Sequence, residues 1–186
     1  MIAIAIPTYG PVSPFMVGPL LSVGAEARLI DKVAVLHVDG VASFYQVRQV
    51  LLEKALSVGA DRLLFMDSDV IPPAGGISKL AEVKAEVVAG FYYRRNPEVK
   101  IPTWKKGNQP FWSCEPEVEI DGCGMGFTLI DLRFVREHLG PDMWEPIPPI
   151  IGEDYAFCER VRRSGGKIIG RGDVRCGHLT WHRIED

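Results

Sequence analysis

The stretch Leu63-Leu64-Phe65-Met66-Asp67-Ser68-Asp69-Val70 decides the fold of this chain. Its four apolar residues predict a buried strand, and two carboxylates follow where that strand leaves the core. Open α/β sheets bind their ligands at that edge. Two neighbouring carboxylates repel each other unless a cation or a proton joins them. A divalent metal resolves the repulsion and points to phosphate chemistry. The alternative is a strand-end turn in which Asp caps the next segment.

Length and composition predict one globular domain with a sizeable core, because the chain has 186 residues, of which 47% are hydrophobic and 24% charged. A formal net charge of -3 gives no sign of nucleic-acid binding. No apolar stretch approaches the ~20 residues that a membrane-spanning helix needs. The four cysteines show no Cys-x-x-Cys spacing, which is typical of reduced, mostly buried thiols in a cytoplasmic protein.

Strands and helices are expected to alternate through the first half of the chain. The expected strands there are 2–6, 33–38, 63–66 and 86–91, and the expected helices are 15–27, 43–58 with Ser43 as N-cap, and 76–83. The second half is expected to hold a strand at 127–130, helices at 133–139 and 153–164, a long loop at 141–151, and short strands at 167–169 and 173–176. This alternation predicts a right-handed βαβ series around a largely parallel sheet.

Three further motifs could carry chemistry. Glu153-Asp154 begins a helix, where acids compensate the helix dipole but are also rigidly placed for general-base work. His178 and His182 are four residues apart and could serve as structural residues or as metal ligands. Gly124-Met125-Gly126 would let the backbone approach a ligand closely, or would form a tight turn before a strand.

The order of these motifs resembles the GT-A fold glycosyltransferases, particularly family 2-like enzymes. The residues that carry the resemblance are Ile6-Pro7-Thr8-Tyr9, Asp39, Arg48, Asp67-Ser68-Asp69, Gly124-Met125-Gly126, Glu153-Asp154 and His178. Each motif is short, and their order and separation are more specific than any one of them. The resemblance covers almost the whole chain and implies a single catalytic domain, residues 1–186. Its expected architecture is a Rossmann-like mixed, mainly parallel sheet flanked by helices.

On the donor side, the resemblance implies a nucleoside-diphosphate sugar bound at the carboxyl ends of the strands. Pro7, Thr8 and Tyr9 would meet the nucleobase, with Tyr9 available for stacking. Asp39 would accept hydrogen bonds from the base, and Arg48 would lie near the nucleotide. Ser68 and the segment Gly124-Met125-Gly126 would complete the donor site.

The metal implied by the resemblance is Mn²⁺ or Mg²⁺, which stabilises the charge that develops on the leaving diphosphate. Asp69 would bind the metal directly, and Asp67 would face the ribose or a metal-bound water. His178 is the preferred further ligand, because it follows a short strand and a glycine, and His182 is the weaker candidate.

On the acceptor side, Asp154 would deprotonate a hydroxyl group if the reaction inverts the anomeric centre, and Glu153 would orient the site or bind the acceptor. Arg94 and Arg95 would flank the sugar or form a solvated basic loop. Trp104, Trp112 and Trp144 would supply flat surfaces for sugar rings or would pack in the core. A short acceptor region fits a small acceptor or a site completed by a second subunit, so a homo-oligomer is left open.

Two other functions compete with this hypothesis. A haloacid dehalogenase-type phosphatase also places Asp-x-Asp after an apolar strand, but usually after the first strand and with Thr or Val where this chain has Ile71. A catalytically silent nucleotide-sugar binding module would keep the donor site without turnover.

Overall fold

The computed structural model describes residues 1–8, 12–38, 43–96, 98–148 and 152–179. Tyr9, Asp39 and His182, for which the sequence predicts roles, lie outside these described residues.

Within the described residues, strands and helices largely alternate as far as residue 91, and the rest of the chain has consecutive strands and consecutive helices. The strands are β1 (Ile2–Pro7), β2 (Val33–Val38), β3 (Arg62–Met66), β4 (Val70–Ile71), β5 (Val87–Phe91), β6 (Trp104–Lys106), β7 (Gln109–Phe111), β8 (Val118–Glu119), β9 (Phe127–Asp131), β10 (Ile168–Arg175) and β11 (Gly177–His178). The helices are α1 (Val17–Ile30), α2 (Phe44–Ser57), α3 (Gly76–Glu82), α4 (Leu132–His138) and α5 (Glu153–Arg163), and a 3₁₀ turn at Pro14–Met16 precedes α1.

The central sheet, within the described part of the chain, has seven strands in the order β2-β1-β3-β9-β5-β10-β8. Strands β1, β2, β3, β5 and β10 run in one direction, which confirms a mixed, mainly parallel sheet. Strand β9 lies between β3 and β5 and is antiparallel to both.

Helices cover both faces of this sheet, so its strands read as continuous apolar runs. On one face, Leu64 and Met66 of β3 belong to the same core as α1 and α3. On the other face, Leu63 and Phe65 belong to the same core as α2, α4 and α5. Residues 63–66 of β3 are therefore buried on both faces of the sheet, and the first partly exposed residue after them is Asp67, where the strand ends.

The structure contains small strands that the sequence did not predict. Strands β6 and β7 form an antiparallel hairpin inside residues 92–116. Strands β4 and β11 pair antiparallel, with Val70 opposite His178. Two-residue strands carry too little periodicity to be recognised in a sequence.

One local prediction was wrong. Strand β10 is a single element, although two short strands were expected, and its pairing with β5 shifts register between Arg171 and Arg175. The backbone of this strand lies close to a neighbouring segment, since a Cβ on Gly172 would lie 2.4 Å from the carbonyl oxygen of Ser113. Ser43 occupies the N-cap position of α2 as predicted, but its side chain makes no capping hydrogen bond, since its hydroxyl donates to Gln46 Oε1 at 2.9 Å.

The cysteines are all free, but their burial is more varied than expected. Cys123 and Cys158 are buried, Cys176 is partly buried and Cys114 is exposed. Among the described helices, none combines the length and the apolar character that spanning a bilayer would require.

Candidate active site

The site lies at the carboxyl end of β3, where Asp67-Ser68-Asp69 turns the chain into β4. The Asp67 amide donates to the Gly126 carbonyl at 2.9 Å, and the Val70 amide donates to the Asp67 carbonyl at 3.2 Å. The acidic turn is therefore fastened to the glycine segment that precedes β9. Two of the predicted donor-site motifs are thus brought together, with Ser68 inside the turn.

Asp69 and His178 are brought together by the pairing of β4 with β11. The Leu179 amide donates to the Asp69 carbonyl at 2.8 Å, and His178 Nε2 lies 3.4 Å from Asp69 Oδ2. His178 Nδ1 lies 2.8 Å from the Tyr93 carbonyl. Because a carbonyl only accepts hydrogen bonds, Nδ1 carries the proton in the neutral ring. The lone pair of Nε2 then points to the Asp69 side.

These two side chains are suitable ligands for Mn²⁺, since a carboxylate oxygen and an imidazole nitrogen with its other nitrogen fixed by a carbonyl recur in metal sites. Among the described residues, no group of three His, Cys, Asp or Glu side chains could hold a metal ion. Arg95, half-exposed on the loop after β5, forms an ion pair with Asp69.

Arg48 lies at the centre of the acidic site, and its side chain is only 4% exposed. Its Nη1 lies 3.4 Å from Asp67 Oδ1, and its Nε lies 3.9 Å from Glu153 Oε1. Burial disfavours the charge of Arg48, but the carboxylates of Asp154, Asp67 and Glu153 outweigh that cost and raise its pKa above its ordinary value. Arg48 therefore joins the acidic turn after β3 to the acidic start of α5.

Asp154 has both carboxylate oxygens engaged. Oδ2 accepts a hydrogen bond from the Met125 amide at 3.1 Å. Oδ1 lies 2.9 Å from Arg48 Nε, which makes an ion pair, although the two atoms are not aligned for a hydrogen bond. Burial raises the pKa of Asp154 to about 6, and the charges of Glu153 and Asp67 add to the increase while Arg48 opposes it. A carboxyl group with this pKa can exchange a proton near neutral pH.

The fold itself requires glycine at both ends of the segment Gly124-Met125-Gly126, because a neighbouring side chain lies close to the backbone there. The Gly126 amide donates to the Tyr92 hydroxyl at 2.7 Å. A Cβ would lie 2.5 Å from that hydroxyl at Gly124 and 2.6 Å at Gly126. The close approach that these glycines permit is therefore to Tyr92, a buried residue that the sequence did not single out. Its position in a polar, proline-punctuated segment gave no periodic signal.

Pro7 and Thr8 lie at the same edge of the sheet, where β1 ends beside β2. The Thr8 hydroxyl is 2.7 Å from His37 Nε2. The structure thus places these two predicted nucleobase-loop residues at the edge where the acidic turn emerges. Tyr9 and Asp39, which would complete that group, are not among the described residues.

The tryptophans divide between core and surface. Trp104 and Trp144 are buried in the core on the α2 side of the sheet, so neither presents a face to a sugar. Trp144 stacks on Phe157, with ring centroids 4.2 Å apart. Trp112 is 57% exposed.

Comparisons with known proteins identify the fold. No protein-family model matches this sequence, and no curated protein matches it. The crystal structure of A197 from STIV matches with a TM-score of 0.70 and 22% identity, covering 96% of this chain and 85% of that one. GalNAc-T7 with UDP, GalNAc and Mn²⁺ matches with a TM-score of 0.58 and 13% identity, covering 99% of this chain and 43% of that one.

S. aureus TarS 1-349 matches with a TM-score of 0.52 and 14% identity, covering 94% of this chain and 59% of that one. This chain therefore spans less than two thirds of the length of GalNAc-T7 and TarS. The structural neighbours are mostly nucleotide-diphospho-sugar glycosyltransferases, and the chain has a GT-A-like fold.

Proposed function

We propose that this chain is a metal-dependent glycosyltransferase that moves a sugar from a nucleoside-diphosphate sugar to an acceptor hydroxyl group. The observation that supports this most strongly is the pairing of Asp69 with His178 Nε2 at the carboxyl end of β3. That edge is where open α/β sheets bind nucleotides. Neighbours of the same fold were crystallised with UDP and Mn²⁺ and with UDP-GlcNAc.

On the donor side, Asp69 and His178 would hold Mn²⁺ or Mg²⁺, and the bound ion would stabilise the charge that develops on the leaving diphosphate. Asp67 would face the ribose or a metal-bound water. Arg48, a cation held by the carboxylates around it, would fix the position of the Asp67 carboxylate through their ion pair. Pro7, Thr8, Tyr9 and Asp39 would bind the nucleobase.

On the acceptor side, we propose that Asp154 takes the proton of the acceptor hydroxyl group in an inverting reaction. The hydroxyl oxygen then bonds to the anomeric carbon while the bond to the diphosphate breaks. The Met125 amide and Arg48 fix the orientation of the Asp154 carboxylate. Glu153 lies 3.9 Å from Arg48 and makes no closer ion pair within the described residues, so its carboxylate is available to an acceptor.

The test is calorimetry with a panel of UDP-, GDP- and dTDP-linked ligands in the presence of Mn²⁺ or Mg²⁺. We expect metal-dependent binding of one nucleoside diphosphate, and loss of that binding in Asp69→Ala. Asp142→Ala is the matched control, because Asp142 is an exposed carboxylate in the loop before α5. A panel in which no ligand binds would contradict the proposal.

The competing functions give different results in simple assays. Robust Mg²⁺-dependent turnover of a generic phosphoester would favour the haloacid dehalogenase-type phosphatase. Tight donor binding without hydrolysis or transfer to any acceptor would favour the silent binding module.

A further inference from the structure

A second charged cluster lies beside the acidic site and is positive. Tyr155 directly follows Asp154 in α5, and two cations pack on its ring. Lys105 Nζ lies 4.8 Å from the ring centroid, and the guanidinium carbon of Arg94 lies 5.6 Å from it. The cations come from separate parts of the chain, Arg94 from the loop after β5 and Lys105 from β6.

Neither cation of this cluster has an acidic partner in the part of the chain that the structure describes. Among the described residues, no carboxylate lies within ion-pair distance of Arg94 or Lys105. Most other guanidinium groups near the sheet edge are paired, as Arg48 is with Asp67 and Asp154 and Arg95 with Asp69. Two like charges on one ring repel each other unless an anion joins them.

The cluster is held in a defined geometry. Arg94 Nη2 donates to the Tyr155 hydroxyl at 2.9 Å, and that hydroxyl donates to the Thr103 carbonyl at 2.9 Å. The backbone of Lys105 is fixed on both sides, by the Gly122 carbonyl and the Asp121 amide. A Cβ on Gly122 would lie 2.8 Å from Tyr155 Cδ1 and 3.0 Å from Lys105 Cε, so the glycine lets the two side chains approach each other.

The cluster adjoins the acceptor side of the site. The Gly124 amide donates to the same Thr103 carbonyl that accepts from Tyr155, at 3.1 Å. The next residue, Met125, donates to the Asp154 carboxylate. Gly124, which shares that carbonyl with the cluster, is therefore the direct neighbour of Met125, which orients the proposed base. Arg95, next to Arg94 in sequence, instead contacts Asp69, the proposed metal ligand.

We propose that Arg94, Lys105 and Tyr155 form an anion subsite that binds a phosphate or carboxylate group of the acceptor. A planar guanidinium and an ammonium group together bind such oxyanions well. The assignment of this anion to the acceptor rests on the proposed function, because Asp154 marks the acceptor side only if it is the base. The proposal that the cluster binds an anion does not depend on the proposed function.

The test is an NMR titration of the full chain with inorganic phosphate at low ionic strength, with and without the nucleoside diphosphate that the ligand panel selects. We expect Arg94→Gln and Lys105→Gln each to raise the phosphate Kd by about three- to fivefold, the upper part of the range for removing one exposed charge contact. Lys106→Gln is the matched control. It removes the same charge one residue away, where the ammonium lies 5.5 Å from the Phe111 ring. We expect it to change the Kd by less than about twofold.

Several outcomes would overturn the inference. Equal weakening by Lys105→Gln and Lys106→Gln would show general surface charge. Undetectable phosphate binding by the wild-type chain would remove the subsite. Loss of nucleoside diphosphate affinity in Arg94→Gln, with phosphate displaced by the nucleotide, would assign the cluster to the donor phosphates.

Thermal unfolding of each variant shows whether it is folded. If Arg94→Gln does not fold, Lys105→Gln alone tests the subsite. The two proposals also fail separately. Phosphate binding that depends on Lys105, together with a ligand panel that shows no nucleotide binding, would leave the subsite and remove the transferase. Nucleotide binding without phosphate binding would support the transferase and remove the subsite.

Discussion

His178 presents its Nε2 atom to Asp69 Oδ2 at 3.4 Å, while its Nδ1 donates to the Tyr93 carbonyl at 2.8 Å. The Tyr93 carbonyl thus selects the tautomer that can bind a metal. We expect His178→Gln to weaken Mn²⁺ binding by at least about tenfold, as changes in metal coordination shells commonly do. Electron paramagnetic resonance of free Mn²⁺ measures this directly.

The control for that prediction is His138→Gln. His138 Nδ1 also lies near a backbone carbonyl, that of Phe134 at 3.1 Å, but the residue is on α4 and far from the acidic turn in sequence. Equal losses of Mn²⁺ affinity in the two variants would contradict the role given to His178.

Arg95 pairs with the carboxylate of Asp69, so it would compete with a metal ion bound at the proposed site. The pair is half-exposed on the Arg side and is worth at most about 1 kcal/mol. We therefore expect Arg95→Gln to tighten Mn²⁺ binding by up to about fivefold. Arg133→Gln, which breaks the exposed pair with Asp131, should leave Mn²⁺ affinity unchanged. Weaker Mn²⁺ binding in Arg95→Gln would show that Arg95 assists the metal site instead.

The contact of Tyr92 with the glycine segment gives a prediction about stability. Ala at Gly124 or Gly126 would place a Cβ 2.5 or 2.6 Å from the Tyr92 hydroxyl, and we expect each change to lower the free energy of unfolding by about 1–3 kcal/mol. Removing the hydroxyl leaves Tyr92 Cζ 3.2 Å from the added methyl at Gly124, but only 2.7 Å at Gly126. Tyr92→Phe should therefore rescue Gly124→Ala and not Gly126→Ala.

Urea unfolding of the single and double variants measures these couplings. Gly140→Ala is the control, because a Cβ there meets no atom within 4 Å. Tyr92→Phe alone also leaves the Gly126 amide without its partner, so the coupling must be taken from the complete double-mutant cycle. A rescue of both glycine variants, or of neither, would contradict the geometry.

The raised pKa of Asp154 should make the stability of the protein depend on pH, and its proposed role as the base would make the activity depend on pH as well. Burial raises its pKa from the ordinary 3.8 to about 6, so the folded protein favours the protonated form. The stabilisation from that protonation is complete below pH 3.8 and is lost as the pH rises through about 6. Transfer activity has the opposite dependence, because the proposed base must be ionised, so kcat/KM should rise as the pH increases through about 6.

Asp154→Asn should remove both effects. The difference in free energy of unfolding between wild type and this variant should change over the interval from pH 4 to 6. Asp142→Asn makes the same chemical change at an exposed position and is the control for the substitution itself. A pH–rate profile without an acidic limb near pH 6 would remove Asp154 as the base.

Long, strongly patterned elements could be predicted from the sequence. The strand before Asp67 is visible as an apolar run, and α2 shows an apolar stripe, so both were expected within a few residues of their observed ends. These elements set the edge of the sheet at which Asp67 and Asp69 lie. The prediction of a mainly parallel α/β sheet is therefore confirmed.

Contacts between distant segments could not be predicted from local pattern. The β4–β11 pairing that brings His178 to Asp69 involves two residues from each strand, and Tyr92 meets Gly126 through one hydroxyl. Arg48 could be placed near the nucleotide only by resemblance. Its three carboxylate neighbours come from the turn after β3 and from the start of α5, which only the folded chain brings together.

The position of β9 has a consequence for the order in which the chain folds. This strand pairs with β3 and β5, yet it is synthesised after both of them. Strands β1, β2 and β3 can associate early, but β3 then keeps one edge unpaired until residues 127–131 arrive. The hydrogen bond from the Asp67 amide to the Gly126 carbonyl likewise cannot form until the segment before β9 is in place. We therefore expect the acidic site to assemble late in folding, because it depends on a long-range strand pairing and such pairings form slowly.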